Sequence, residues 1–128
     1  MTQEEKQLLL KDLCARLPYG VKIKFNDGTD DVYNLDSDIH GRFIKSLIQA
    51  IDDLELKPYL RPMSSMTEEE KKEFAKIVVK SQDCSYQNNE SATTMLNDWY
   101  LSKGFDVRGL IPKGLALEAS EGMYKFNN

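Results

Sequence analysis

Two arginines that accompany aromatic residues are the side chains best suited to chemistry in this sequence. Tyr59 and Arg61 lie in a proline-containing segment, and Trp99 and Arg108 follow later in the chain. Guanidinium groups bind carboxylates and phosphates in a bidentate manner and stack on aromatic rings. Converging side chains would form an anion-binding or peptide-binding pocket. The structural interpretation, which we favour, is that Tyr59 and Leu60 fill the core while each arginine pairs with an acidic residue.

Metal and nucleophile chemistry have weaker support in the sequence. The single histidine, His40, follows Asp36 and Asp38, a spacing that could supply three metal ligands from one loop. A solvated acidic turn is the more ordinary interpretation, so we predict no metal. Neither Cys14 nor Cys84 lies in a nucleophile motif, and there is no Gly-x-Ser-x-Gly turn or glycine-rich phosphate loop. We therefore predict no cofactor and favour a protein that is not an enzyme.

The composition is that of an ordinary soluble domain. The 128 residues are 41% hydrophobic and 30% charged, with a net charge of −4. This length predicts a single domain over 1–128. The absence of a long apolar run and of a signal-peptide pattern predicts a cytoplasmic protein without a membrane partner. The acidic balance disfavours non-specific nucleic-acid binding. A nucleic-acid-associated role would require Lys22, Lys24, Arg42 and Lys45 to share one face.

Three helices are predicted from capping signals and apolar spacing. A capping box, in which a threonine and a glutamate three residues later satisfy each other's free amides, occurs at Thr2–Glu5 and at Thr67–Glu70. Apolar residues at helical spacing in the first helix predict a buried stripe of Leu10, Leu13, Cys14 and Leu17. The three predicted helices span about 3–17, 68–80 and 91–103.

The predicted sheet is small and antiparallel. Alternating apolar and charged residues followed by an Asn-Asp-Gly turn predict a hairpin over about 21–36. The apolar residues of segment 39–54 have helical spacing, and we favour a helix there. The alternative is a third strand within 42–51, which its β-branched residues would also suit. Two prolines make 57–66 an extended connector, and 112–118 is predicted to hold a short helical piece. The predicted fold class is therefore α+β, a sheet packed by helices.

Three stretches carry a resemblance to a known family. They read LCARLPYGV (13–21), KPYLRPMSSMTEEE (57–70) and FDVRGLIPKGLALEA (105–119). Together they resemble a family of small proteins from gut Bacteroidales bacteria and their phages. The resemblance implies strands for much of 31–56, and it brings no activity with it. It does imply a small accessory protein of a mobile element or its host.

A non-enzymatic interaction protein is the function that these features favour, and its expected partner is another protein. An unpaired edge of a small sheet would also allow a homodimer. The alternative is a small-ligand-binding protein or enzyme with an anion-binding pocket near Tyr59, Arg61, Trp99 and Arg108. That alternative requires both guanidinium groups to converge on one pocket without carboxylate partners.

Overall fold

A computed structural model gives the architecture of the chain. It describes residues 2–26, 28, 31–35, 42–85, 89–120 and 122–124, without the side chains of 42–46, 81–85 and 89–93. Within these residues the chain forms four α-helices and one sheet of four strands, which confirms the predicted α+β class. The elements are α1 (Gln3–Arg16), β1 (Val21–Lys24), β2 (Tyr33–Leu35), α2 (Arg42–Asp53), β3 (Lys57–Leu60), α3 (Glu68–Ser85), α4 (Asn89–Ser102) and β4 (Leu117–Glu118).

The first helix begins and ends at the residues that its sequence signals indicate. The Thr2 N–H donates to Glu5 Oε1 at 2.9 Å, and the Glu5 N–H donates to Thr2 Oγ1 at 3.1 Å, so the capping box is formed. At the other end, the Gly20 N–H donates to the Arg16 carbonyl at 2.9 Å with a φ of 85° at the glycine. Only glycine adopts that backbone conformation without strain, so the helix stops there.

The buried stripe of α1 differs from the predicted one. Leu13 is fully buried as expected, whereas Leu10, Cys14 and Leu17 are only half-buried. The helix instead buries Leu9, Asp12, Leu13 and Arg16. The stripe is displaced because a charged Asp–Arg pair occupies part of the face that hydrophobic spacing alone assigns to apolar residues.

The segment after the hairpin is helical. It forms α2 (Arg42–Asp53), so the alternative prediction of a strand within 42–51 is wrong. Leu47 and Ile51, four residues apart, are both buried against the sheet, while Ile48 between them is exposed. One buried face at a spacing of four requires a helix, since a strand would bury every second residue.

The sheet is larger than the predicted hairpin, and it is mixed. β1 and β2 form the expected antiparallel hairpin, with Val21 opposite Leu35. β3, which lies in the predicted connector, pairs antiparallel to β1, and β4 then pairs parallel to β3. The prediction of a purely antiparallel sheet is therefore wrong. β4 also replaces the helical piece predicted near 112–118, because its extended backbone is held by β3.

Two groups of apolar side chains hold these elements together. α1 and α2 cover one face of the sheet with a core of Leu9, Leu13, Val21, Ile23, Leu35, Leu47, Ile51, Leu56, Leu60, Leu110, Leu115 and Ala116. α3 and α4 form an antiparallel pair joined by aromatic rings, with Trp99 buried. Of the helices formed by the described residues, none is long and apolar enough to cross a lipid bilayer.

Candidate functional site

Phe105 lies between two groups of charged side chains, one that contains Arg61 and one that contains Arg16. It lies directly after Gly104, two residues beyond the end of α4, and it is fully buried. The Arg61 N–H donates to the Gly104 carbonyl at 2.8 Å, and the Asp106 N–H donates to the Arg61 carbonyl at 2.9 Å. These bonds fix the Phe105 backbone beside the end of β3. Arginines then approach Phe105 from two directions, one over its ring and one at its carbonyl.

Arg61 approaches the ring, and it has an internal counterion. Its Nη1 and Nη2 donate to the two carboxylate oxygens of Glu70 at 2.7 and 2.6 Å, a bidentate geometry. Further bonds of 3.2 Å reach the carbonyls of Lys103 and Ser65, and the guanidinium carbon lies 4.3 Å from the centre of the Phe105 ring. Both terminal nitrogens of the guanidinium are therefore engaged by the protein itself.

Glu70 supports two structures at once. Besides binding Arg61, it accepts the Thr67 N–H at 3.0 Å, while the Glu70 N–H donates to Thr67 Oγ1 at 3.1 Å. This is the predicted capping box at the start of α3. Hydrogen bonds from the Arg61 guanidinium lower the pKa of the Glu70 carboxyl from 4.5 to about 2, against the opposing effect of burial.

Arg108 belongs to a separate buried group with Asp12 and Arg16. Arg16 Nε and Nη2 donate to the Asp12 carboxylate at 2.7 and 3.2 Å, and Arg108 Nη1 donates to it at 2.9 Å. Asp12 is 0% exposed and Arg16 is 1% exposed. Arg16 Nη2 also donates to the Phe105 carbonyl at 2.7 Å, whereas its Nη1 is buried without a hydrogen-bond partner in the described part of the chain. Two guanidinium groups thus share one carboxylate.

Trp99 and Tyr59 have structural neighbours of their own. Trp99 is 6% exposed, stacks on Phe105 with ring centres 5.8 Å apart, and donates its indole N–H to Glu73 Oε1 at 2.9 Å. Tyr59 is half-buried on β3 opposite Leu117 of β4. Trp99 therefore serves the packing of α4, whereas the prediction that Tyr59 fills the core is wrong, because on β3 it is the neighbouring Leu60 that is fully buried.

Tyr124 joins β1 to β3 through its hydroxyl group. The Lys22 N–H donates to this oxygen at 2.9 Å, and the hydroxyl donates in turn to the Tyr59 carbonyl. The register that places Ile23 opposite Pro58 would place Lys22 opposite Tyr59 next, so the phenol replaces a bond of the strand ladder. Burial raises the pKa of Tyr124. The ring packs against Gly104, where an added Cβ would lie 3.3 Å from it.

An acidic cleft adjoins Arg61. It has a volume of about 530 Å³ and lies between the start of α3, the end of β3 and the segment after β4. Its charged lining residues are Arg61, Lys103, Glu69, Glu70, Glu73 and Glu118. Among the described lining residues, four carboxylates therefore face two cations. We call this space the acidic cleft.

The cations of the acidic cleft are already neutralised. Arg61 pairs with Glu70, and Lys103 Nζ lies 3.6 Å from Glu73 Oε1. Glu69 and Glu118 are exposed, and their carboxylates have no ion pair or hydrogen bond with any described residue. A second cleft of about 570 Å³ shares Gly122 and Tyr124 with the first, and Lys22 is the one charged side chain among its described lining residues. Uncompensated negative charge therefore distinguishes the acidic cleft.

The four predicted site residues do not converge on one pocket. Arg61 and Trp99 both contact the ring of Phe105, whereas Arg108 lies apart with Asp12. Tyr59 lies on β3, two residues before Arg61. Of the four, Arg61 alone lines the acidic cleft. Both guanidinium groups have carboxylate partners, as the structural interpretation requires.

Sequence reasoning missed the residues that complete these groups. Asp12 and Arg16 were not predicted, although their spacing of four on a helix is the usual spacing of an ion pair. Glu70 was identified for its capping role alone, and Phe105 and Tyr124 were not singled out. No local signal links Tyr124 to Lys22, because 102 residues separate them.

Two other predicted groups are only partly described. Lys22 and Lys24 share the face of β1 opposite to Val21 and Ile23, but the side chains of Arg42 and Lys45 lie outside the described residues. The candidate metal ligands His40, Asp36 and Asp38 also lie outside them. In the part of the chain that is described, no three His, Cys, Asp or Glu side chains are arranged to hold a metal ion.

The chain matches no protein-family model, no curated protein and no solved structure. Its function must therefore be inferred from its own residues and their geometry. In the acidic cleft the carboxylates of Glu69 and Glu118 have no cationic partner among the described residues.

Proposed function

We propose that this protein is a non-enzymatic interaction module that binds another protein through the acidic cleft. The observation that carries the proposal is the pairing pattern of the cleft. Both of its cations have internal counterions, whereas the carboxylates of Glu69 and Glu118 have none among the described residues. A partner that offers cationic side chains would supply the missing charge.

Electrostatic complementarity is effective in such a place. Exposed like charges in a concave surface raise the local potential, which speeds the encounter with an oppositely charged partner and selects against acidic ones. The paired residues Arg61 and Glu70 form a rigid wall, since a bidentate pair holds both side chains in one geometry. The partner would therefore meet a rigid wall beside the exposed carboxylates of Glu69 and Glu118.

The same geometry disfavours the anion-binding alternative. A phosphate or carboxylate ligand would have to displace Glu70 from Arg61 or Asp12 from Arg108. Displacement from Arg61 would leave the largely buried Glu70 carboxylate without its counterion, which costs several kcal/mol, and displacement from Arg108 would leave Asp12 with Arg16 alone. It would also bring further negative charge into a cleft that already holds four glutamates.

The biological setting of this module follows from the family resemblance and not from its geometry. The stretches at 13–21, 57–70 and 105–119 support the proposal of an accessory protein of a mobile element or its host. On this proposal the bound protein is encoded by one of the two. Its identification by mass spectrometry would decide that point, because a partner from neither source would contradict it.

Affinity capture with charge-matched variants tests the interaction module. The cleft variant Glu69→Gln/Glu118→Gln removes both uncompensated charges. The control variant Glu4→Gln/Glu68→Gln removes two exposed charges that do not line the acidic cleft, so both variants have the same net charge. We expect a partner that is captured by the wild type and by the control but lost from a folded cleft variant. Equal capture by all three would contradict the proposal.

A further inference from the structure

β4 is an edge strand of the described sheet, and its residue Glu118 lines the acidic cleft. Within the described residues, the strand order β2-β1-β3-β4 leaves β4 paired on one side only. Tyr59 is opposite Leu117, and the Ala119 N–H donates to the Leu60 carbonyl at 2.8 Å. Backbone groups of a parallel strand alternate in direction, so the N–H and C=O of Glu118, between these two residues, point away from β3. No described residue pairs with them from that side.

Glu118 belongs both to this edge and to the wall of the acidic cleft. Its side chain is exposed, and Ala119 and Ser120 continue the same wall. Glu69 of α3 contributes the second uncompensated carboxylate to the cleft. An unpaired donor and acceptor of the backbone thus lie next to unpaired negative charge. An extended peptide would form hydrogen bonds with the backbone donor and acceptor, and its basic side chains would pair with the carboxylates.

We propose that the acidic cleft receives an extended, basic segment of its protein partner, which adds to the edge of β4 by hydrogen bonds to the Glu118 backbone. This inference rests on the function proposed above and specifies the kind of partner. Alternate side chains of an added strand face the same side. Lys or Arg at every second position would therefore face the carboxylates of Glu118 and Glu69.

A second copy of this chain is a poorer occupant of the same edge. Pairing of β4 with its own copy would bring two Glu118 side chains close together, and like charges on paired strands repel. Each copy also carries a net charge of −4. The edge is thus protected from self-association by the same charge that attracts a basic segment.

Two substitutions at one position separate strand addition from charge attraction. Glu118→Gln removes the charge but keeps the backbone N–H. Glu118→Pro removes both, and proline is tolerated on an edge strand where the lost N–H faces outward. The probe is a short synthetic peptide of alternating Lys and Thr with a fluorescent label, and binding is followed by anisotropy at low and raised salt. Circular dichroism and urea unfolding establish that each variant is folded.

The two variants give different results if a strand is added. We expect Glu118→Gln to bind more weakly and with less dependence on salt, and Glu118→Pro to bind about tenfold more weakly again, because a backbone hydrogen bond is lost. Equal affinities of the two variants would overturn strand addition and leave the interaction module intact. Failure of the peptide to bind the wild type, or a stable dimer of the free protein in sedimentation, would overturn the basic extended partner. The affinity capture described above tests the interaction module itself, independently of the peptide.

Discussion

The replacement Glu70→Gln isolates the contribution of the ion pair beside the acidic cleft. Glutamine can still accept the Thr67 N–H, so the capping box of α3 remains. The bidentate bonds of Arg61 would lose their anionic acceptor, while the guanidinium would stay between Phe105 and the carbonyls of Lys103 and Ser65. The variant therefore changes charge with little change in shape.

The magnitude follows from the pKa of Glu70. Its fall from 4.5 to about 2 corresponds to roughly 3 kcal/mol of stabilisation at neutral pH, at 1.36 kcal/mol for each factor of ten in acidity. Between these two values the unfolded chain binds more protons than the folded one. The stabilisation is therefore complete above pH 4.5 and is lost as the pH falls towards 2.

Urea unfolding at a series of pH values measures this contribution. We expect Glu70→Gln to lower the free energy of unfolding by about 2–3 kcal/mol at neutral pH and to show a shallower acid-dependent decline than the wild type. The control is Glu68→Gln, since the Glu68 side chain is 83% exposed and its pair with Lys71 is worth at most about 1 kcal/mol. Parallel acid profiles for wild type and Glu70→Gln would refute the role assigned to Arg61.

Two further replacements test the shared carboxylate of Asp12 and the hydroxyl of Tyr124, each by urea unfolding. Asp12→Asn should lower the free energy of unfolding by about 3–5 kcal/mol, because Arg16 and Arg108 would lose their shared buried counterion. A loss below about 1 kcal/mol would contradict this. Tyr124→Phe should cost about 1–3 kcal/mol, because the Lys22 N–H and the Tyr59 carbonyl lose their partner. Since the folded pKa of Tyr124 lies above 10, the wild type should lose stability as the pH rises past 10, and the phenylalanine variant should lose less. Identical alkaline profiles would count against the buried phenol.

The helices were predictable because their signals are local. The capping boxes at Thr2 and Thr67 lie within a single turn, and both form as predicted. The helix over 42–53 follows from spacing within four residues. In each case the residues that determine the structure are also the residues that adopt it.

The outer half of the sheet was not predictable by the same reasoning. The prolines of 57–66 predicted an extended connector, but not that Pro58 would be buried in a paired strand, β3, opposite Ile23. Its restricted φ is compatible with a strand, and the cost is one absent donor. β4 consists of two residues whose conformation depends on pairing with β3, far away in sequence. Local patterns carry no information about such pairing.

The candidate site shows the same division. The sequence indicated that Arg61 and Arg108 would pair with acidic residues, but not which ones. Arg61 finds Glu70 only nine residues away, whereas Arg108 finds Asp12 across 96 residues. The acidic cleft is likewise assembled from distant segments, α3 and the end of β4. Its charge imbalance became visible only when the pairing of each cation was known.

Site-specific photo-crosslinking tests the docking role of the acidic cleft most directly. A photoreactive amino acid is placed at Ser120, an exposed residue in the wall of the acidic cleft, and in a matched variant at Lys11, an exposed residue of α1 outside it. Irradiation is carried out in the native cells, and the products are identified by mass spectrometry. We predict that one protein with a basic extended segment is crosslinked from Ser120 and not from Lys11. Crosslinks from Lys11 alone, or from neither position, would contradict docking at the acidic cleft.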